Sequence, residues 1–422
     1  MSLESWVPGA QGSGFPAEHL PYGIFAEADP AASAPGVGVP GLTGRARVGV
    51  RIGDHILDLA RLAGDGLVDG PFDAPTLNPF MAEGPEHWSA VRSRLIELVC
   101  DAGSQARVAA ALVPVERAQL LLPFTVADYV DFYSSLEHAT NLGRLFRPDG
   151  DPLLPNWRHL PVAYHGRAGT VVVSGTPVVR PLGQRREPDG SVVFGPSTRL
   201  DIELEVGFVV GVPSTHGRPV TVAEAPSHVF GVVLVNDWSA RDIQAWEYQP
   251  LGPFLGKSFA TSVGAWVTPL EALALCRTAG PVQDPPPLPY LDLAEPWALD
   301  LALAVDLQPA GADVATTISS TSFAGLYWRF PQQVAHLTAN GAHLRTGDLL
   351  ASGTVSGPTR GSEGSLVELT RGGAAPLAVG GVERRFLEDG DQVALRGQAT
   401  VGEGVTITLG EVHGQVLPSV AG

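Results

Sequence analysis

Residues Leu200–Gly211, LDIELEVGFVVG, place three acids on alternate positions at the start of an otherwise apolar segment. Because side chains on a strand alternate between two faces, Asp201, Glu203 and Glu205 are predicted to share one face. Like charges two residues apart repel, and the apolar flanks indicate a strand that is not freely solvated, so a hard divalent cation would relieve the repulsion. The alternative is a solvent-facing edge strand whose charges prevent aggregation.

The fold class follows from segments of this kind along the rest of the chain. From residue 119 onward, short apolar stretches are separated by glycine and proline, with few long helical patterns. Before that point, Gly53-Asp54 is typical of a hairpin turn, and residues 84–100 show helical spacing behind Pro85. We therefore predict a mostly β (α+β) protein, with a small N-terminal barrel over residues 1–118 and a large β-rich domain over residues 119–422.

Composition limits the class of protein and its partners. With 44% hydrophobic and 17% charged residues in 422, the chain is typical of a globular protein. A net charge of -17 argues against nucleic-acid binding, and 2 cysteines are too few for a disulfide framework or a cysteine-ligated zinc site. The first residues lack the features of a secretory signal, and no run approaches the roughly 20 apolar residues of a membrane helix. We expect a soluble, cytoplasmic protein.

A second segment, residues 228–262, combines a strand pattern with a polar helix pattern. The strand ends at Asn236-Asp237, and Ser239 and Asp242 have the spacing of a helix-capping pair. Three residues of this helix share one stripe: Arg241, Gln244 and Tyr248. The stripe suits a carboxylate or carbonyl substrate, and the alternative is an ordinary helix face with a solvated arginine.

The stretch GPFLGKS, residues 252–258, is similar to a phosphate-binding loop. That motif needs four residues between its glycines, whereas Gly252 and Gly256 enclose three. We therefore reject nucleotide binding, and Lys257 can instead provide positive charge near a developing oxyanion.

The stretch DFYSSLEHATNLGRLFR, residues 131–147, contains a helix start. Ser134 and Glu137 match the capping-box spacing, which favours a structural role for Glu137. His138 then falls in the first turn, where the helix dipole disfavours the imidazolium and helps to keep a neutral base. A lone histidine is usually structural, so these residues alone leave the role of His138 open.

At these positions the sequence resembles the fumarylacetoacetase family of carbon-carbon hydrolases. The resemblance extends from near residue 15 to near residue 417 through six segments: FPAEHLPYGIF, DFYSSLEHATNLG, LPVAYHGRAGTVVVSGT, LDIELEV, NDWSARDIQAWEYQPLGPFLGKSFATS and LLASGTVSGP. It implies an SH3-like N-terminal barrel, a large C-terminal β-rich roll and a homodimer. It also implies hydrolysis of fumarylacetoacetate to fumarate and acetoacetate, the last step of tyrosine and phenylalanine catabolism. The alternatives are a related acylpyruvate hydrolase or decarboxylase, and a calcium-stabilised binding module without turnover.

The resemblance also assigns roles to individual residues. It implies calcium ligands at Asp131, Glu203, Glu205 and Asp237. It implies a second cation site, for magnesium, at Asp237, Lys257 and Thr261, where Lys257 would offer only its backbone carbonyl. The base would be His138, oriented by Glu368, and the oxyanion-stabilising set would be Arg241, Gln244 and Lys257. Substrate contacts would be Tyr133, Arg147, Gln244, Tyr248 and Thr354. Leu136 and Glu137 depart from the arginine-glutamine pair expected in animal relatives.

Overall fold

The computed structural model of the protein describes residues 3–33, 40–42, 44–402 and 404–420. Strands dominate these ranges, as predicted, and the helices are mostly short. The N-terminal part contains six strands and four helices within the described residues: β1 (Tyr22–Ser33), β2 (Pro40–Leu42), β3 (Arg47–Ile52), β4 (His55–Asp58), α1 (Leu59–Gly64), α2 (Asn78–Met81), α3 (Pro85–Cys100), α4 (Gln105–Val108), β5 (Leu112–Pro114) and β6 (Ala118–Leu121).

Two local predictions in this part are confirmed. The β3–β4 hairpin turns at Gly53-Asp54, with Ile52 paired to His55. Helix α3 begins at Pro85, a residue that suits a first helical turn because it has no backbone N–H to leave unpaired. The helix buries one apolar stripe, including Leu95 and Leu98, against the N-terminal strands.

The remaining chain supplies most of the strands. In the large unit the elements that join the main sheet are β7 (Tyr129–Phe132), β8 (Ala163–His165), β9 (Val171–Val173), β14 (Leu204–Val210), β15 (Val229–Asp237), β17 (Thr261–Val263), β18 (Trp266–Pro269) and β23 (Leu349–Ala351). A second, five-stranded sheet contains β10 (Val178–Val179), β21 (Ala302–Gln308), β22 (Thr316–Ser322), β26 (Gln392–Val401) and β27 (Val405–Leu417).

Shorter elements complete the large unit. Four strand pairs are β11 (Leu182–Arg186) with β12 (Val192–Pro196), β13 (Leu200–Asp201) with β16 (Ser239–Ala240), β19 (Arg277–Thr278) with β20 (Ala298–Leu299), and β24 (Leu377–Val379) with β25 (Val382–Arg384). The helices are α5 (Leu136–Phe146), α6 (Ala225–His228), α7 (Arg241–Glu247), α8 (Phe330–Thr338) and α9 (Leu366–Leu369).

The main sheet has 14 strands and crosses from the N-terminal part into the large unit, with the central order β5-β4-β3-β1-β18-β15-β14-β23-β7-β8. Strand β1 pairs with β3, β6 and β18, so both parts share hydrogen bonds. Among the described residues no pairing joins β5 to β6, and the predicted barrel is therefore not closed by strand hydrogen bonds. The predicted boundary at residue 118 stays a prediction.

Strand β15 is buried on both faces and anchors the site. Val232 and Leu234 pack into the core shared with the five-stranded sheet, while Val233 and Val235 pack into the core shared with the N-terminal part. A strand that is buried on both faces needs apolar residues at successive positions, which explains the segment VFGVVLV. Its last residue, Asp237, is therefore delivered into the interior. No helix within the described ranges combines the length and apolar character that a bilayer crossing requires.

Candidate active site

A cavity of about 620 Å³ opens beside the end of β7 and the helix α7. All five predicted substrate contacts line it: Tyr133, Arg147, Gln244, Tyr248 and Thr354. Five further residues predicted as catalytic or metal-binding also line it: Asp131, His138, Glu203, Arg241 and Lys257. Sequence positions that are more than 200 residues apart therefore meet around one volume.

Four carboxylates form a buried cluster, and two of them, Asp131 and Glu203, line this cavity. One oxygen from each lies within 4.8 Å of the others, and the members are Asp131, Glu203, Glu205 and Asp237. The sheet register brings them together, because β14 pairs with β15 on one side and with β23 on the other, and β23 pairs with β7. Strand β14 is thus a central strand with every residue buried, which excludes the edge-strand alternative.

Asp201 does not join the cluster. The strand is interrupted after Asp201 and resumes at Leu204, so the prediction of one continuous face is wrong at this residue. The Asp201 carboxylate instead accepts hydrogen bonds from the backbone N–H groups of Leu366 and Val367, at 2.7 and 3.0 Å. It thereby satisfies the first N–H groups of α9, which carries Glu368. Asp201 also pairs with Arg241 at 2.8 Å.

Two buried cations compensate part of the negative charge. Lys257 Nζ donates to Glu203 Oε2 and, at 2.6 Å, to Asp237 Oδ2. Arg241 donates to Glu203 Oε1 at 2.8 Å. Burial by itself would raise the pKa of Glu203, but the charges of Lys257 and Arg241 outweigh it and lower that pKa to about 2. Glu203 is therefore an ionised carboxylate held between two cations.

Asp131 and Glu205 lack such compensation. Both carboxylate oxygens of Glu205 and Oδ1 of Asp131 are buried with no hydrogen-bond partner among the described residues. Burial, followed by the neighbouring carboxylates, raises the pKa of each side chain well above its ordinary value. Unpaired buried oxygens of this kind are costly unless a cation coordinates them. The cluster thus fits one hard divalent cation with oxygen ligands.

The predicted second cation site fits less well. Asp237 Oδ1 accepts from Thr261 at 2.9 Å, and Oδ2 accepts from both Tyr164 at 2.9 Å and Lys257. The ammonium group of Lys257 already supplies positive charge at this carboxylate. Both Asp237 oxygens thus already accept hydrogen bonds, so no chemical step is assigned to magnesium here, and the second cation site stays a prediction.

His138 and Glu368 form a buried pair, and His138 lines the same cavity. His138 Nδ1 lies 2.6 Å from Glu368 Oε2, and the edge-to-face contact with Tyr133, at 5.3 Å between ring centroids, fixes the imidazole plane. Glu368 also accepts from Asn141 Nδ2 at 2.9 Å and from the hydroxyls of Ser356 and Ser365 at 2.9 and 2.7 Å. Burial by itself would raise the pKa of Glu368, but the charge and hydrogen bond of His138, followed by the hydrogen bonds of Ser365 and Asn141, outweigh it and lower that pKa. Nε2 is then the ring atom available to the cavity.

The helix that carries His138 is capped by a different serine than predicted. Ser135 is the N-cap of α5 and accepts from the N–H of His138 at 3.2 Å. Ser134 instead accepts from Gln333 Nε2 at 2.8 Å. Two adjacent serines leave the position of the cap ambiguous by one residue in the sequence. The structure decides between them, because Gln333 of α8 hydrogen-bonds to Ser134 and Ser135 is left to cap the helix. His138 lies in the first turn, as predicted.

The stripe on α7 is confirmed, but its cap is not. Helix α7 begins at Arg241 without a side-chain cap; Ser239 donates to the carbonyl of Asp237, and Asp242 accepts from Ser197 at 2.6 Å. Arg241 is only 4% exposed, which excludes a solvated helix face. Its Nη1 donates to Gln244 Oε1 at 3.3 Å.

Two tyrosines beside the acidic cluster escaped sequence reasoning. Tyr164 pairs with Asp131 in the β8–β7 register and donates to Asp237. Tyr129 is buried, and its hydroxyl has no hydrogen-bond partner among the described residues. No sequence spacing marks either tyrosine, because only the pairing of β7 with β8 and β23 places them beside the acidic cluster. A prediction of strand register that paired Asp131 with Tyr164 would have found Tyr164.

Comparison with known proteins extends over nearly the whole chain. Family models match residues 18–123, described as fumarylacetoacetase N-terminal, and residues 129–416, described as fumarylacetoacetate (FAA) hydrolase C-terminal. The fumarylacetoacetase of Rattus norvegicus is 46% identical over 434 residues, with 99% of each chain covered. That of Caenorhabditis elegans is 47% identical, with 99% of this chain and 100% of the relative covered. That of Arabidopsis thaliana is 42% identical, with 99% of each covered.

Among solved structures, a fumarylacetoacetate hydrolase from the psychrophilic Exiguobacterium antarcticum has the same fold. The TM-score is 0.53 at 17% identity, and the match covers 94% of this chain and 99% of that one. Sequence and fold therefore agree, and the chain belongs to the fumarylacetoacetase family of hydrolases.

Proposed function

We propose that this enzyme hydrolyses the carbon-carbon bond of fumarylacetoacetate and releases fumarate and acetoacetate. The observation that carries the proposal is that one cavity is lined by His138, which pairs with Glu368, and by two members of the acidic cluster, Asp131 and Glu203. Hydrolysis of a 1,3-diketone needs a positioned base for water and charge stabilisation for an oxyanion and an enolate. This arrangement offers both at a single site.

Water activation belongs to His138. With Nδ1 held at Glu368, Nε2 is the unprotonated nitrogen and can accept a proton from water. The water oxygen bonds to the carbonyl carbon next to the fumaroyl group, which becomes a tetrahedral oxyanion. Its collapse breaks the carbon-carbon bond, and the electron pair leaves on the acetoacetyl fragment as an enolate. The proton on His138 then completes acetoacetate, so the reaction consumes one water.

The donors for the oxyanion are on the cavity wall. Arg241 Nη2 and the hydroxyl of Thr354 are buried there without a hydrogen-bond partner among the described residues. Buried donors without partners are costly in the empty site and are satisfied when charge develops on a substrate oxygen. Gln244 and the Lys257 ammonium add dipole and charge on the same side. Arg147 Nε is also unpartnered and suits a substrate carboxylate.

We also propose which cation the enzyme binds, where in the cell it acts and how it assembles. A divalent cation held by Asp131, Glu203, Glu205 and Asp237 would supply Lewis-acid charge beside the diketone oxygens. Four carboxylates and no nitrogen or sulfur ligand favour calcium over zinc. We further propose that the enzyme is a cytoplasmic homodimer that acts in tyrosine and phenylalanine catabolism, as the resemblance to its family implies.

The test is a direct assay. Purified enzyme is incubated with fumarylacetoacetate, and loss of the diketone absorbance is followed with and without EDTA and with calcium or magnesium restored. The expected result is consumption that chelation stops and calcium restores, with His138→Ala inactive but still folded and able to bind calcium. Turnover by His138→Ala at the wild-type rate would remove His138 as the base. Consumption of acylpyruvates but not of fumarylacetoacetate would transfer the proposal to a related hydrolase of the superfamily.

A further inference from the structure

A second cavity, of about 230 Å³, lies between α3 and the segment that follows β18. Three aromatic residues form its walls: Trp88, Phe230 and Trp297. Trp88 and Phe230 meet edge to face at 5.1 Å, and the guanidinium of Arg277, which pairs with Glu295 at 2.7 Å, stacks on Trp297 at 3.7 Å. These contacts fix the aromatic side chains that line the cavity.

This cavity is separate from the active site. The two cavities share no lining residue. Phe230 stands near the start of β15 and Asp237 at its end, seven residues on, which is about 23 Å along a strand. A ligand in the second cavity would therefore not touch the catalytic residues.

The polar groups of the second cavity come in opposite charges. Tyr22 is 1% exposed, and its hydroxyl has no hydrogen-bond partner among the described residues although it lines the cavity. Arg92, 6% exposed, and Glu271, whose carboxylate is accessible, line the same space. All three groups line this one cavity, and burial raises the pKa of Tyr22. Tyr22 remains a neutral donor.

The three groups have unequal freedom to bind a ligand. Arg92 donates to the carbonyls of His19, at 2.7 Å, and Glu18, which fixes the position of its guanidinium. The contact of Glu271 with Ser89, at 3.5 Å, is long, so its carboxylate is free to accept a stronger donor. The cavity thus presents a fixed positive charge, an unpartnered hydroxyl and an available carboxylate beside aromatic walls.

We propose that this cavity binds a free α-amino acid with an aromatic side chain. The carboxylate of such a zwitterion would accept from Tyr22 Oη beside Arg92, its ammonium would donate to Glu271, and its ring would lie between Trp88 and Trp297. Each part of the ligand matches one feature: its two charges match the opposite charges of Glu271 and Arg92, and its ring matches the aromatic side chains that line the cavity. A ligand with only one of the two charges leaves a counter-charge of the cavity without a partner.

The experiment is calorimetric titration of the full-length enzyme with L-phenylalanine, with thermal melting as a second readout. The comparison ligands each lack one feature: L-alanine lacks the ring, phenylacetate lacks the ammonium and phenethylamine lacks the carboxylate. We expect L-phenylalanine to bind with a dissociation constant at or below about 1 mM, and each comparison ligand to bind at least about tenfold more weakly. Because binding only the folded state stabilises it, the melting temperature should rise with L-phenylalanine concentration.

Variants separate this site from adventitious binding. Tyr22→Phe keeps the buried ring and removes only the unpartnered hydroxyl, and Glu271→Gln changes an exposed side chain, so both should fold. Each should weaken binding about tenfold, while Glu86→Gln, an exposed change on α3 outside the cavity, should leave it unchanged. No heat and no melting shift with L-phenylalanine, or equal binding by wild type and Glu271→Gln, would overturn the proposal. Both results are independent of fumarylacetoacetate turnover.

Discussion

Glu205 shows how one side chain can be costly alone and useful with a ligand. Neither of its oxygens has a hydrogen-bond partner among the described residues, and it lies against three other carboxylates. Such a residue destabilises the cation-free protein and binds a cation tightly for the same reason, which is uncompensated negative charge in a dry environment.

Replacing Glu205 by glutamine should therefore have two opposite effects. Calcium affinity should fall at least about tenfold, because the ligand charge count decreases. The cation-free variant should melt at or above the wild-type temperature, because a repelling carboxylate is gone. Calcium titration and thermal melting in EDTA measure the two effects, with Glu137→Gln, outside the cluster, as the matched control. An unchanged calcium titration would contradict the ligand assignment.

Asn141 acts on the base through Glu368. It lies one turn after His138 on α5 and is the donor to Oε1, at 2.9 Å, whereas the other donors all reach Oε2. Removing it leaves one carboxylate oxygen of Glu368 without a donor, so this carboxylate and the imidazole that it pairs with are held less firmly. Asn141 is thus a positioning residue for His138.

Asn141→Ala should lower kcat about tenfold with little change in KM, because a less firmly held base is placed less precisely for proton transfer. Asn141→Gln, which keeps an amide donor, should restore part of the rate. A variant that loses thermal stability but keeps the wild-type kcat would show a purely structural role.

At the scale of elements, α5 depends on a cap that also ties it to a neighbouring segment. Ser135 accepts from the N–H of His138 and donates to the carbonyl of Ser356 at 3.2 Å, and Ser356 in turn donates to Glu368. The cap hydroxyl therefore connects the start of the helix to the segment that orients the base.

Ser135→Ala should lower the free energy of unfolding by about 1 kcal/mol, the usual cost of an N-cap, whereas Glu137→Gln should change it by less than about 0.5 kcal/mol. Urea denaturation of both variants measures the difference. If Glu137→Gln were the more damaging change, the assignment of the cap to Ser135 would be wrong.

At the scale of the whole molecule, His19 joins the N-terminal part to the large unit. It is fully buried, with Nε2 at 2.9 Å from Thr268 Oγ1 on β18 and Nδ1 at 3.2 Å from the carbonyl of Gly14. Burial is the main cause that lowers the pKa of His19 from 6.5 to about 3, so the ring is neutral in the folded protein.

This histidine should make the protein acid-sensitive. The unfolded chain binds a proton at His19 below about pH 6.5, and the folded chain does so only near pH 3, so stability is lost as pH falls between these values. The slope from this one group is about 1.4 kcal/mol per pH unit. His19→Gln should flatten the pH dependence of the free energy of unfolding over that window, and His216→Gln, at an exposed histidine, should not. Parallel curves for His19→Gln and wild type would contradict this role.

The sequence by itself determined the local chemistry. Alternating acids in a buried strand predicted a cation site, the stripe Arg241, Gln244 and Tyr248 predicted a polar cavity wall, and the motifs identified the family. These features are readable because the period of a strand or helix places side chains on known faces.

Tertiary structure decided which of these residues act together. Asp201 follows the same alternation as Glu205, yet a break in the strand turns its carboxylate to α9. Ser134 and Ser135 are equivalent in sequence, and the contact with Gln333 selects the cap. Tyr164 and the donors to Glu368 have no pattern of their own. Their positions depend on strand register and on contacts between segments up to about 230 residues apart, which no local period encodes.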